Sequence, residues 1–251
     1  MSKISKAFEN GKALIGFVTA GDPDLEASEQ IILKMAEAGC DLIEIGIPFS
    51  DPIAEGPDIQ EANLRSLNNG TTTDKVFELT KSITEKIETP IVYMTYLNVL
   101  FKYGYDKFLK AAADAGVSGV LIPDMPYEEK NELKSVADKY GVAVLSIAAP
   151  AETDRIKMIA ENAEGFIYAI STASDNEAYN DLKSVTASIK SASDISVAID
   201  PNIVTPEQAR LFARIADGII LSIGIVQIIA EHKTTAPAAV FDYVKSIKEV
   251  L

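Results

Sequence analysis

The sequence has one cysteine, Cys40, and one histidine, His232. A single cysteine excludes an intrachain disulfide, which fits a reducing compartment. Two soft ligands, each alone, make a zinc site improbable, and no metal is expected. Positive charge is scarce as well: 23 lysines and arginines stand against 37 aspartates and glutamates, a net charge of −14. That balance argues against nucleic acid or an anionic membrane as partner. Any anionic ligand must be held by local geometry, against the field of the whole chain. No apolar run approaches the roughly 20 residues of a membrane span. The opening Met-Ser-Lys-Ile-Ser-Lys, followed by Ala-Phe-Glu-Asn, lacks the apolar stretch of a signal peptide, so a cytoplasmic location is expected. No Gly-x-Gly-x-x-Gly follows a strand-like run, which counts against an open dinucleotide-binding sheet. With no Pro/Gly/Ser-rich linker and no low-complexity tract, residues 1–251 are expected to form one domain.

What the chain does contain is a repeated pattern of short apolar runs, each bounded by turn residues and followed by a helical pattern. The runs are Leu14–Thr19, Leu42–Ile47, Ile91–Thr95, Val120–Pro123, Val142–Ile147, Phe166–Ile170, Val197–Ile199 and Ile219–Ser222. They are continuous rather than alternating, as parallel strands covered on both faces should be. Between them, Glu26–Ala38 carries Ile31, Ile32, Met35 and Ala38 at helical spacing, with Asp22-Pro23 as the expected N-cap and first-turn proline. Thr205-Pro206-Glu207-Gln208 has the capping-box pattern before a helix over Gln208–Ile215. Gly116, Gly141, Gly165 and Gly218 each precede a strand and are expected to end helices in the left-handed conformation. Eight strands, seven intervening helical units and a C-terminal helix predict an α/β fold, the (β/α)8 TIM barrel.

In such a barrel the active site lies at the C-terminal ends of the strands. Glu44 stands out there, inside Leu42-Ile43-Glu44-Ile45-Gly46-Ile47. A carboxylate within an apolar strand is costly unless it is paired with a cation at the rim or faces a polar cavity, and both readings stay open. The loop Pro48–Pro57 follows, stiffened by prolines and carrying Asp51 and Glu55. Three acids near one mouth suit general acid/base work; a solvated acidic loop that caps the next helix is the plainer alternative. Tyr96 and Asn98 stand after the third run, Pro123-Asp124-Met125-Pro126 after the fourth, and Tyr168 in the sixth.

These residues carry a resemblance. The segments Phe17–Pro23, Glu44–Pro52, Pro123–Pro126, Gly165–Tyr168 and Thr205–Gln208, in this order and across nearly the whole chain, resemble the tryptophan synthase alpha chain family. The resemblance implies a retro-aldol lyase that cleaves indole-3-glycerol phosphate to indole and glyceraldehyde 3-phosphate. Glu44 would be the acid/base that brings a proton to the indole ring carbon. Glu55 occupies the place of a family aspartate that stabilises charge on the indole nitrogen, and it reaches one methylene further. Phe17, Met94, Tyr96, Leu121 and Tyr168 match positions lining the indole pocket, and Asp200, Ser222 and Ile223 match the substrate's phosphate end. Asp51, Asn98 and Pro126 match positions at the contact with a beta subunit in an αββα complex. No cofactor is implied on this chain; pyridoxal phosphate belongs to the beta partner.

The resemblance fails at three turns. The family holds phosphate with backbone N–H groups of a Gly-Val-Thr-Gly turn, a Gly-Phe-Gly turn and a Gly-Ser turn. Here the corresponding segments are Ser171–Ala178, Ile199-Asp200-Pro201-Asn202 and Ser222-Ile223, with Gly224 one residue later. Pro201 has no N–H to donate, and Asp175, Glu177 and Asp200 bring negative charge. The helix N-terminus near Ile225 still offers donors. Two alternatives to the lyase therefore stay open: an impaired barrel that docks on and regulates a beta subunit, or a barrel repurposed for an unphosphorylated ligand.

Overall fold

The computed structural model describes residues 3–171, 173, 175–202 and 205–251; the side chains of Asp175 and Asn176 lie outside the described residues. Nine parallel strands form one sheet: β1 Ala13–Thr19, β2 Leu42–Gly46, β3 Ile91–Met94, β4 Gly119–Leu121, β5 Ala143–Val144, β6 Ser146–Ala148, β7 Phe166–Ala169, β8 Ser196–Ile199 and β9 Gly218–Leu221. Their order is β5-β4-β3-β2-β1-β9-β8-β7-β6. The ends of that order, β5 and β6, are two halves of the single run expected over Val142–Ile147. One half pairs with β4 and the other with β7. Nine segments are thus eight barrel strands, and closure passes through the divided one, as the (β/α)8 reading requires.

Alternation within the strands sets two cores. Ile15, Leu42, Val92, Leu121, Leu145, Phe166, Tyr168, Ala198 and Ile220 fill the barrel interior. Leu14, Val18, Ile43, Ile45, Ile167, Val197 and Ile219 face the helices. In the β1–β2–β3 register Leu42 pairs with Ile15, while Glu44 pairs with Phe17 and Val92. Glu44 is two residues beyond Leu42, so it points into the barrel one layer nearer the C-terminal mouth.

The helices are α1 Lys3–Lys6, α2 Leu25–Glu37, α3 Pro57–Asn68, α4 Thr73–Thr84, α5 Leu97–Tyr103, α6 Tyr105–Asp114, α7 Lys130–Tyr140, α8 Thr153–Glu161, α9 Asp175–Ala192, α10 Pro206–Phe212, α11 Ile223–His232 and α12 Ala236–Lys248. Short α1 lies outside the apolar pattern of the strands and helices, yet its Ile4 is fully buried in the barrel-interior cluster.

Several local expectations hold. Thr205 and Gln208 form the full capping box. Gly116 and Gly141 close α6 and α7 with φ of 84° and 68°; Gly165 has a φ of 66° but stands past the cap of α8 at Asn162. Three other details differ. The N-cap of α2 is Asp24, whose carboxylate accepts from the Ala27 N–H at 2.8 Å. Asp22, joined to Pro23 by a cis peptide, is buried and takes both arms of the Arg65 guanidinium at 2.8 Å each. The proline ahead of α2 made Asp22 look like the cap, but its carboxylate reaches α3 instead. Gly218 lies within β9 and has no positive φ, because α10 ends at Phe212 with a right-handed cap at Ala213.

Candidate active site

Glu44 is 1% exposed, and neither carboxylate oxygen has a hydrogen-bond partner. No lysine or arginine among the described residues forms an ion pair with it, so the rim ion pair allowed by the sequence is not what the strand contains. Burial, then the charges of Asp200 and Glu55, push its pKa well above the carboxylate range. The acid form is the resting form of an isolated buried carboxyl.

Glu55 comes from the Pro48–Pro57 loop. The Tyr96 hydroxyl donates to its Oε1 at 3.4 Å and accepts from the Ala54 N–H at 3.1 Å. Tyr96 in turn stacks on Phe49 at 5.3 Å, and the Phe49 N–H donates to the Asn63 side chain at 2.9 Å. Asn63 lies on α3, so the helix that follows the loop also fixes it. Burial, then Asp200, push the Glu55 pKa up to about 7, with the Tyr96 bond pulling the other way. It titrates near neutrality.

Asp200, just past β8, is the third acid, and it alone is well partnered. Its Oδ2 accepts from the Tyr168 hydroxyl at 3.0 Å and from the Ser222 hydroxyl at 2.8 Å, and its Oδ1 accepts from the Asn202 N–H at 3.2 Å. Burial raises its pKa, and these three donors oppose the rise. Tyr168 is pushed up by burial first and by Asp200 next.

Phe17, Thr19, Gly46, Glu55, Ile59, Met94 and Tyr96 line a slot with about 10 Å³ of free space. Gly46 shapes it: a Cβ there would lie 2.8 Å from Phe17 Cζ, so any larger residue would push that ring aside. Met94 also touches the barrel-interior cluster holding Leu121 and Tyr168. Of the residues expected to line a flat pocket, Phe17, Met94 and Tyr96 line this slot, and Leu121 and Tyr168 lie in the adjoining interior cluster. A wider cleft of about 630 Å³ flanks Asp200 and is lined by Ser171, Tyr179, Pro201, Gln208 and Phe212 among others.

Of the residues expected at the phosphate end, Ser222 is the N-cap residue of α11, with Ile223 opening the helix. Asp200 sits against it through the Ser222 hydroxyl. Glu177 is exposed. Thr172, Ser174 and the side chain of Asp175 lie outside the described residues. Asp51, Asn98 and Pro126 are exposed at the C-terminal end of the barrel, where Ile53 and Phe101 are also bare at 81% and 74% exposure.

Two contributors had no signal in the sequence. Asn63 sits in an ordinary helical pattern. Tyr243 comes from α12 at the far end of the chain; burial and then Asp200 push its pKa up to about 12. Only the folded barrel brings them to the mouth.

A closed parallel barrel with clustered carboxyl groups, one of them buried without a partner, and an aromatic slot at its C-terminal mouth defines an acid/base enzyme of the TIM-barrel class. The comparisons make the class specific. The family model for the tryptophan synthase alpha chain matches residues 4–250. The chain is 43% identical to the tryptophan synthase alpha chain of Lacticaseibacillus casei, over 99% of this chain and 95% of that one. It is likewise 43% identical to that of Lactiplantibacillus plantarum, over 100% and 97%. Its fold matches the subunit alpha of Legionella pneumophila with a TM-score of 0.92 at 32% identity, covering 100% and 98% of the two chains. It matches a chain of the tryptophan synthase complex of Pyrococcus furiosus with a TM-score of 0.88 at 32% identity, covering 95% and 99%. The chain belongs to the tryptophan synthase alpha chain family, whose lyases cleave indole-3-glycerol phosphate to indole and glyceraldehyde 3-phosphate.

Proposed function

We propose that this chain performs the family's cleavage as one barrel unit, with Glu44 as the acid/base and Glu55 as the carboxylate at the indole nitrogen. The observation that carries the reading is a fully buried, unpaired carboxyl group facing the barrel mouth beside an aromatic slot. Glu44 in its acid form gives its proton to the ring carbon that bears the glycerol chain. Positive charge then develops at the ring nitrogen, where ionised Glu55 stabilises it. The bond between ring carbon and side chain breaks, and its electron pair neutralises the ring. The adjacent hydroxyl becomes the aldehyde carbonyl, and its proton returns to Glu44. The indole ring lies between Phe17, Met94, Tyr96, Leu121 and Tyr168, and the closed slot requires these side chains to part for it.

The phosphate end uses the loop after β9, where the first N–H groups of α11 lack intrahelical partners. Barrels of this kind often hold phosphate there. Asp200 beside Ser222 places a carboxylate at the same corner, so affinity for the phosphate dianion is reduced rather than lost. Asp51, Asn98 and Pro126, with bare Ile53 and Phe101, form the surface that meets a beta subunit in an αββα complex. Pyridoxal phosphate is that partner's, this chain uses no cofactor, and the location is cytoplasmic.

The test is release of glyceraldehyde 3-phosphate from indole-3-glycerol phosphate, with and without a beta subunit. Wild type should exceed Glu44→Gln by about 10²–10⁴-fold, the usual worth of a general acid/base. Equal rates in the two proteins would refute the reading.

A further inference from the structure

Three carboxyl groups share the barrel mouth: Glu44 on β2, Glu55 in the loop after it, and Asp200 after β8. The other titratable groups turned toward them are Tyr96 from the end of β3, Tyr168 on β7 and Tyr243 on α12, all neutral at ordinary pH. Among the described residues, no lysine or arginine forms an ion pair with any of the three acids. Carboxyl groups in such a setting resist ionising together, and hydrogen-bond donors decide the order in which they do so. The donors are distributed unequally. Asp200 has three, at 2.8, 3.0 and 3.2 Å. Glu55 has one, the 3.4 Å bond from Tyr96. Glu44 has none.

We propose that Asp200 is a positioning residue for the cleavage: the resident anion of the cluster, whose donor-stabilised charge keeps the proton on Glu44 where the ring carbon needs it. The inference rests on the reading of Glu44 as the proton donor and adds a residue that never touches the reacting atoms. Its physical content is electrostatic. A fixed negative charge across the mouth makes ionisation of Glu44 harder, beyond what burial alone achieves. The three donors oppose the rise that burial causes at Asp200, whereas Glu44 has no donor to oppose its own. The Tyr168 hydroxyl is committed to Asp200, so it does not donate to Glu44 and stabilise its ionised form.

The experiment compares full-length wild type with Asp200→Asn and Ser222→Ala. Glu44 is followed by carboxyl-carbon NMR through a pH titration, and kcat/KM for indole release is measured over the same range. In Asp200→Asn, Glu44 should ionise about one pH unit lower, and the alkaline limb of kcat/KM should move down with it. Ser222→Ala keeps the carboxyl but removes one donor, so it should move both in the same direction by less. If Asp200→Asn does not fold, Ser222→Ala alone decides by direction. An unmoved Glu44 titration in a folded variant overturns the proposal. The NMR titration needs no substrate, so it judges Asp200 even in a chain that releases no indole. Retained activity in Glu44→Gln would instead overturn the underlying role of Glu44.

Discussion

Replacing Glu55 with glutamine should stabilise the fold and weaken catalysis together, and pH should reveal why. In the unfolded chain Glu55 releases its proton near 4.5; in the folded barrel it does so at about 7. Between these values the folded state holds a proton that the unfolded state has lost, so stability falls as pH rises. The penalty is absent below about pH 4.5 and complete above about pH 7. At about 1.4 kcal/mol per pH unit it reaches about 3 kcal/mol. The carboxyl keeps some contact with solvent, so screening reduces the measurable part to about 1–2 kcal/mol. Glutamine is neutral throughout and escapes the penalty. Urea unfolding at pH 4.5 and pH 8 should therefore show Glu55→Gln near wild type at the lower pH and more stable by that amount at the higher, with unchanged m. Cleavage should drop with it, since glutamine carries no charge to set against the ring nitrogen. An equal stability difference at both pH values would refute the reasoning, because the effect would then be packing rather than ionisation.

Three further outcomes are expected. Asp200→Asn should lower KM for indole-3-glycerol phosphate: at an assumed separation of roughly 8 Å and an effective dielectric of about 20, one pair of unit charges repels by about 2 kcal/mol, about 30-fold; steady-state kinetics at low ionic strength reads it, and the gap between wild type and variant should narrow as salt is added. Gly46→Ala should cost about 1–3 kcal/mol of stability by forcing Phe17 off β2, seen as a lower Tm, together with slower cleavage. Arg65→Met should cost about 3–5 kcal/mol at pH 7, because Asp22 is 1% exposed at its side chain and would be left as an unpaired buried charge; chemical denaturation measures it.

The parts of this molecule that the sequence exposed are those where one residue contradicts its neighbours. Glu44 is legible because a carboxyl in Leu42–Ile47 breaks an apolar run, and the β2 register then sends it into the barrel beside Phe17 and Val92. The strand runs are legible because burial on both faces makes them continuous. The division of the fifth run is not, because it depends on each half bonding a different neighbour, β4 or β7, which a continuous apolar run does not encode. The cap of α2 was misplaced for a related reason. Asp22 and Asp24 both precede the helix, and only the long-range partner Arg65 separates their roles.

Asp200 shows the same limit at the site itself. Read along the chain, it is a charge placed where a phosphate should lie, and it points to lost affinity. Read in the fold, it is also the acceptor for Tyr168, Ser222 and the Asn202 N–H. Two of those donors stand 32 and 22 residues away, so no local pattern announces them. The two readings are compatible, because one charge acts on two groups. It opposes the substrate's phosphate and it opposes ionisation of Glu44, and only the second serves the chemistry. Removing it should therefore improve binding and move the pH range of the acid downward in the same variant. A residue that merely packed the corner would produce neither change.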